Sequence, residues 1–229
     1  MAMPEPVQRY FSHALPAGPR PGGVAAAGVR LRMTGRIKLG LWVPFTAHEE
    51  CDGRSFAWRA RVGPLHVTDH FADGAGDMRG RLLGRLTVFD VSSGDVTRSS
   101  AGRAALEAIW CPVALLPDRG VTWRAEADDL IVATWDVPPE RPELRLRIAP
   151  DGRVREASAL RWGNAGRKEF TYIPCGSEVH AERRFGDVVV PSEVTVGWWF
   201  GTPDYEPFFT ARINDVRGAR PGQRSQMRA

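Results

Sequence analysis

Ser99-Ser100-Ala101-Gly102-Arg103-Ala104-Ala105-Leu106-Glu107-Ala108-Ile109-Trp110-Cys111-Pro112 reads as an internal helix in a chain otherwise patterned as strands. Alanine and leucine favour helix, the Ser100 hydroxyl can cap its start, and Pro112 limits the run. Ala101, Ala104, Ala105, Ala108 and Ile109 recur at helical spacing and make one narrow stripe of small side chains. A sheet can curl closely around such a stripe.

Outward from the helix, the flanks alternate. On the N-terminal side Ser92-Ser93-Gly94-Asp95 reads as a turn, Leu82 to Val91 as a strand, residues 72–77 as a glycine-rich loop and Leu65 to Phe71 as a short strand. Phe56, Trp58, Ala60 and Val62 alternate with Arg59 and Arg61. Val29, Leu31, Met33, Ile37, Leu39 and Leu41 alternate with Arg30, Arg32, Thr34, Arg36 and Lys38. One face is therefore buried and one wet, which is antiparallel patterning. Pro4 to Leu15 reads as a short helix whose Val7, Tyr10, Phe11 and Ala14 share a face.

On the C-terminal side 121–127 and 130–135 pair across Asp128-Asp129. Asp151-Gly152 and Gly186-Asp187 mark two further hairpins, and Phe208 to Ile213 is a last strand. The fold expected is mainly β, with about ten strands in a strongly curved antiparallel half-barrel around a central helix. A β-sandwich is the competing architecture. Residues 1–23 form the N-terminal helix and linker, 24–216 one β-rich domain, and 217–229 a flexible basic tail.

The net charge of +4 is carried by that tail, whose four arginines meet no acid. Specific nucleic-acid binding is not expected, although such a tail can tether phosphate. Three cysteines without metal-ligand spacing indicate neither a disulfide framework nor a zinc site. The opening residues lack a signal-peptide pattern and no apolar run is long enough to span a bilayer, so a cytoplasmic protein is expected.

Pro4-Glu-Pro-Val-Gln-Arg-Tyr-Phe, Phe56-Ala-Trp-Arg-Ala-Arg, Asp73-Gly-Ala-Gly-Asp, Ala105-Leu-Glu-Ala-Ile-Trp-Cys-Pro, Ala159-Leu-Arg-Trp and Ile173-Pro with Pro191-Ser-Glu-Val resemble an uncharacterised, mostly bacterial family of unknown function. The resemblance spans most of residues 4–215 and implies no reaction. Phe185-Gly-Asp-Val-Val-Val-Pro-Ser-Glu-Val is similar to strands of lipoprotein-carrier half-barrels. That likeness implies a sheet wrapped around helices and an acyl chain held within.

Candidate chemistry is sparse. His66, Thr68 and His70 point one way along a strand and Asp69 the other, so His66 and His70 with Asp73 are the nearest approach to a metal set. The plainer reading is a half-exposed strand. Gly74-Ala-Gly76-Asp-Met-Arg-Gly80 has the wrong spacing for a dinucleotide loop and reads as a turn. Cys175 and His180 lie close in sequence, which does not put a thiol within reach of its base. Glu107 either meets Arg161 or Tyr172 inside a cavity or pairs with Arg103 at the surface.

Eight tryptophans suit a wide core or a ligand cavity. The ligand-binding set expected is Trp58, Glu107, Trp110, Trp123, Arg161, Tyr172, Trp198 and Phe200, around an apolar or amphipathic small molecule and without a cofactor. The alternatives are an enzyme using Glu107, Arg161 and Tyr172 or a His66/His70 metal site, and an interaction module with no small ligand.

Overall fold

Strand alternation this persistent demands a sheet with one covered face, and that sheet is what forms. A computed structural model describes residues 3–18 and 28–219. The rest of the linker and the tail beyond Ala219 lie outside the described residues. After α1 (Glu5–Ala14) come β1 (Val29–Leu39), β2 (Leu41–Cys51), β3 (Phe56–Val62), β4 (Leu65–Ala72), β5 (Ala75–Leu82) and β6 (Leu86–Val91). Each pairs antiparallel with the next.

The chain then enters α2 (Gly94–Glu107) and three 3-10 turns, Ala108–Trp110, Pro112–Leu115 and Pro117–Arg119. A second meander follows: β7 (Thr122–Ala127), β8 (Leu130–Thr134), β9 (Glu143–Ile148), β10 (Val154–Gly163), β11 (Thr171–Phe185), β12 (Val188–Trp198) and β13 (Glu206–Gly218). β13 returns to pair antiparallel with β1, so the order is β6-β5-β4-β3-β2-β1-β13-β12-β11-β10-β9-β8-β7. One curved sheet of thirteen strands forms, not the sandwich of two sheets.

Several boundaries differ from the sequence reading, each for a local reason. α2 begins at Gly94 because Ser93, not Ser100, caps it by accepting from the Val96 amide at 3.2 Å. The segment read as a turn is thus the helix start. The glycine-rich loop is only the Asp73-Gly74 turn, and Gly76 to Gly80 lie within β5. Gly76 is needed there because a Cβ would sit 3.0 Å from the Ser100 Oγ of α2. Leu82 to Val91 breaks at Leu83-Gly84, giving two strands where one was expected. β13 runs to Gly218, two residues into the stretch read as tail.

Both helices fill the concave face. Ala101, Ala104, Ala105 and Ala108 are fully buried, and α2 lies against β10 on one half and β4 and β5 on the other. Polar contacts tie it to both. The Gly76 amide donates to Thr97 Oγ1 at 3.1 Å, Trp162 Nε1 donates to Asp95 Oδ1 at 2.8 Å, and Arg161 Nε donates to the Ser99 carbonyl at 3.0 Å. α1 buries Val7, Tyr10, Phe11 and Ala14 against the other end, with Phe11 edge-on to Trp123 at 5.6 Å. Its His13 Nε2 lies 2.6 Å from Glu182 Oε2. One apolar cluster joins both helices to the inner face. No helix among the described residues is long and apolar enough to cross a membrane.

The two meanders pair strand to strand at the β1–β13 ladder, where backbones crowd. A Cβ on Gly35 would stand 1.8 Å from the Thr210 carbonyl oxygen and 2.9 Å from Phe45 Cε1. Gly35→Ala is therefore expected to destabilise by about 1–3 kcal/mol or more in urea unfolding. Gly94→Ala, where a Cβ meets nothing within 4 Å, should stay near wild type. Equal stability of the two variants would mean the seam is not tight.

Candidate functional site

Alternate residues of β2 to β6 point inward, and the register lines them up in rows. Glu49, Trp58, Asp69, Met78 and Val91 make one row; Ala47, Ala60, Val67, Gly80 and Phe89 the next; Phe45, Val62, Leu65, Leu82 and Leu86 the third. Helix cover fades towards β6. Phe45 and Val62 are buried, but Leu82 is 36%, Val91 41% and Leu86 65% exposed. An apolar inner surface thus emerges into solvent along β5 and β6.

The first row holds the unusual chemistry. Arg103 enters it from α2, the small-residue helix, one turn before Glu107. Its Nη1 donates to Asp69 Oδ2 at 2.6 Å and its Nε to Glu107 Oε1 at 2.6 Å, while Nη2 lies 3.8 Å from Glu49 Oε2. The guanidinium sits 4.3 Å over the Phe56 ring and 5.4 Å from that of Trp58. Glu49 is wholly buried. Arg103, Asp69 and Glu107 each keep a small solvent-facing surface.

Three carboxyls surround one guanidinium, and burial makes that imbalance costly. Burial pushes the Glu49 carboxyl well above its usual range; Glu107 adds to this and Arg103 opposes it. Burial likewise raises Asp69, against the pull of Arg103. Desolvation disfavours the Arg103 charge, but Glu107, Asp69 and Glu49 outweigh it and hold the guanidinium charged. Asp69 Oδ1 and Trp58 Nε1 are buried without a hydrogen-bond partner, and the Glu49 oxygens and Glu107 Oε2 have no partner but one another. A proton on Glu49 turns one of its oxygens into a donor beside the Glu107 carboxylate.

The residues expected to bind ligand separate into four places. Trp58 and Glu107 belong to this cluster. Glu107 does pair with Arg103, but inside the protein and not at the surface. Trp110 and Trp123 are buried posts, donating to the Pro191 and Leu115 carbonyls at 3.2 and 2.8 Å. Arg161 grips Ser99 and lies 5.0 Å over Trp198, which stacks on Phe208, while Phe200 meets Tyr205 edge-on. Tyr172, 45% exposed, donates to Glu140 at 2.6 Å and accepts from Arg98 at 2.8 Å. Glu107, Arg161 and Tyr172 thus have separate hydrogen-bond partners, although the Arg161 charge still acts on Asp69 of the cluster.

His66 and Thr68 face outward and are exposed, with Asp69 inward as its position in the strand requires. His70 pairs with Asp77 at 3.3 Å and Asp73 is exposed in a turn. Among the described residues no group of three His, Cys, Asp or Glu is placed to hold a metal. Cys175 is buried, whereas His180 bonds Thr195 at the surface. Glu49 and Asp69 were not among the expected site residues. Their signal was an acid at an inward position of an alternating strand.

These features define the class: an open antiparallel half-barrel closed over two helices, with an ionic cluster on its inner wall. The chain belongs to a family of unknown function, DUF6920, whose model matches residues 1–217. It is similar to a LolA-superfamily protein from Nitrosomonas europaea, at 8% identity over 94% of this chain and 92% of that one, with a TM-score of 0.48. It is also similar to a DUF1329-family protein from Desulfovibrio piger, at 11% identity over 85% and 86% of the two chains, with a TM-score of 0.41. Among curated proteins none matches.

Because Glu49 and Asp69 have raised affinities for protons in the fold, the folded chain binds protons that the unfolded chain has already lost. Stability from these groups falls as pH rises above the unfolded glutamate value of about 4.5. Glu49→Gln copies the protonated form. It should match wild type near pH 4.5 and gain on it by up to about 1.4 kcal/mol per pH unit above that, until the folded pKa is passed. Urea unfolding of both proteins across pH checks this; a constant difference would show that Glu49 is ionised in the fold. Arg103→Met, which strands the carboxyls, should cost about 3–5 kcal/mol near neutral pH.

Proposed function

We propose that the protein binds a lipid-like amphipathic molecule without transforming it, apolar chain along β5 and β6 and polar group at the Arg103 cluster. One observation carries this reading. The register row that ends at exposed Val91 begins at polar atoms that lack partners, so an apolar track and a polar anchor are continuous. A molecule with a hydrogen-bonding head satisfies the anchor, while its chain covers Met78, Leu82, Leu86, Phe89 and Val91. The four residue steps of β5 from Met78 to Leu82 give the track about 13 Å, which suits an acyl chain of medium length.

The anchor takes either sign of partner. Trp58 Nε1 donates and the free oxygen of Asp69 accepts. A hydroxyl or amide head makes both kinds of bond.

Native mass spectrometry of the purified protein, followed by solvent extraction, should release an amphipathic molecule. The fluorescent probe dansylundecanoic acid should bind in its place. Leu86→Glu with Val91→Glu, both on the exposed edge strand where charge is tolerated, should weaken that probe roughly tenfold or more. A bare protein whose double variant binds the probe as wild type does would overturn the reading.

A further inference from the structure

The outer face of the β1–β6 half carries charge that the inner groove does not use. The turns at Gly40, Gly63 and Gly84 lie at one end of this half, because the β2–β3 and β4–β5 connections occupy the other. In the strand lengths leading to those three turns, residues 32–46, 59–68 and 79–89, there is no Asp or Glu. Arg32, Arg36, Arg59, Arg61, Arg81 and Arg85 stand there without an ion pair among the described residues, all of them exposed. Lys38 and Arg79 are basic too, though paired with Glu206 and Asp90. Arg61, His66 and Arg81 are side by side in the register, so the charge is a continuous face.

The tips of this end are leucine. Leu41, beside the Gly40 turn, is 79% exposed, and Leu39 on its other side is 55% exposed. Leu83 is 69% exposed and has φ of 50°, the left-handed conformation that asparagine or glycine adopts more readily in a tight hairpin. A leucine side chain both strained and solvated gains little from the fold at that position, where only its amide is engaged, bonding the Pro64 carbonyl at 2.9 Å. Its chemistry suits an apolar medium outside the protein.

We propose that this end of the half-barrel docks on an anionic lipid bilayer. Leu41 and Leu83 enter the acyl boundary, and the arginines nearest the turns, Arg36, Arg61, Arg81 and Arg85, lie at headgroup level against negative charge. Nucleic acid would satisfy the arginines but leave the leucines in water. The docking goes beyond the ligand groove and does not require it.

Co-sedimentation with vesicles of phosphatidylglycerol and phosphatidylcholine tests it. Binding should be strong at low salt, weaker at high salt, and at least about tenfold weaker on phosphatidylcholine alone. Leu41→Thr with Leu83→Asn should lose about tenfold or more while its thermal midpoint stays level or rises, since asparagine suits the turn. Arg61→Gln and Arg81→Gln should each lose about fivefold. Absence of vesicle binding overturns the proposal, and so does vesicle binding that survives the leucine changes. Retention on a single-stranded oligonucleotide without vesicle binding also overturns it and reassigns the basic face to nucleic acid. The dansyl probe, measured on the same variants, separates the two readings: the tip leucine variant should keep the probe, and the Leu86/Val91 variant should keep the vesicles.

Discussion

Everything in this molecule follows from the need to carry the chain across its own concavity. β6 and β7 are consecutive strands placed at opposite edges of a thirteen-stranded sheet. The segment between them must cross the inner face, where water is excluded and space is short. A helix satisfies its own backbone on that crossing. Alanines at 101, 104, 105 and 108 let it lie close enough for both halves of the sheet to reach it.

Against that background Arg103 and Glu107 are costly exceptions. A helix chosen for close approach would be more stable with two further small apolar residues, since buried ion pairs repay little of their desolvation. Instead the arginine is met by two acids brought in from β2 and β4. Three carboxyls buried around Arg103, with Arg161 besides acting on Asp69, cannot all remain ionised cheaply, and burial disfavours the charge most at Glu49. An arrangement that holds polar atoms unsatisfied beside an apolar track is poor packing for a scaffold and good preparation for a guest.

Much of the architecture was legible because it depends on local pattern. Alternation from Val29 to Met33, the Asp151-Gly152 and Gly186-Asp187 turns, and the small-residue stripe each specify their element without distant help, whereas Leu39 and Leu41, read as part of one buried face, flank the Gly40 turn and are exposed. Boundaries shifted where tertiary contact decided them. The glycines of β5 look like loop until Thr97 and Ser100 are seen to press on Gly76. The site was half legible. Trp58 and Glu107 fell in the cluster, but aromatic count drew attention to Trp110 and Trp123, whose indoles bond to backbone carbonyls as posts. Glu49 and Asp69 come together only through a strand register spanning β2 to β4, and no sequence spacing states that register.

The seam between β1 and β13 has a consequence for how the molecule is made. Every other strand pairs with its neighbour in sequence, so each meander can assemble from contacts close along the chain. The seam joins Val29 to Gly218 and cannot form until both ends have been synthesised. Up to that moment two half-sheets present raw edges, each able to pair with the wrong strand. Folding rate and aggregation during synthesis are then governed by how quickly this last ladder zips, more than by the strength of either half.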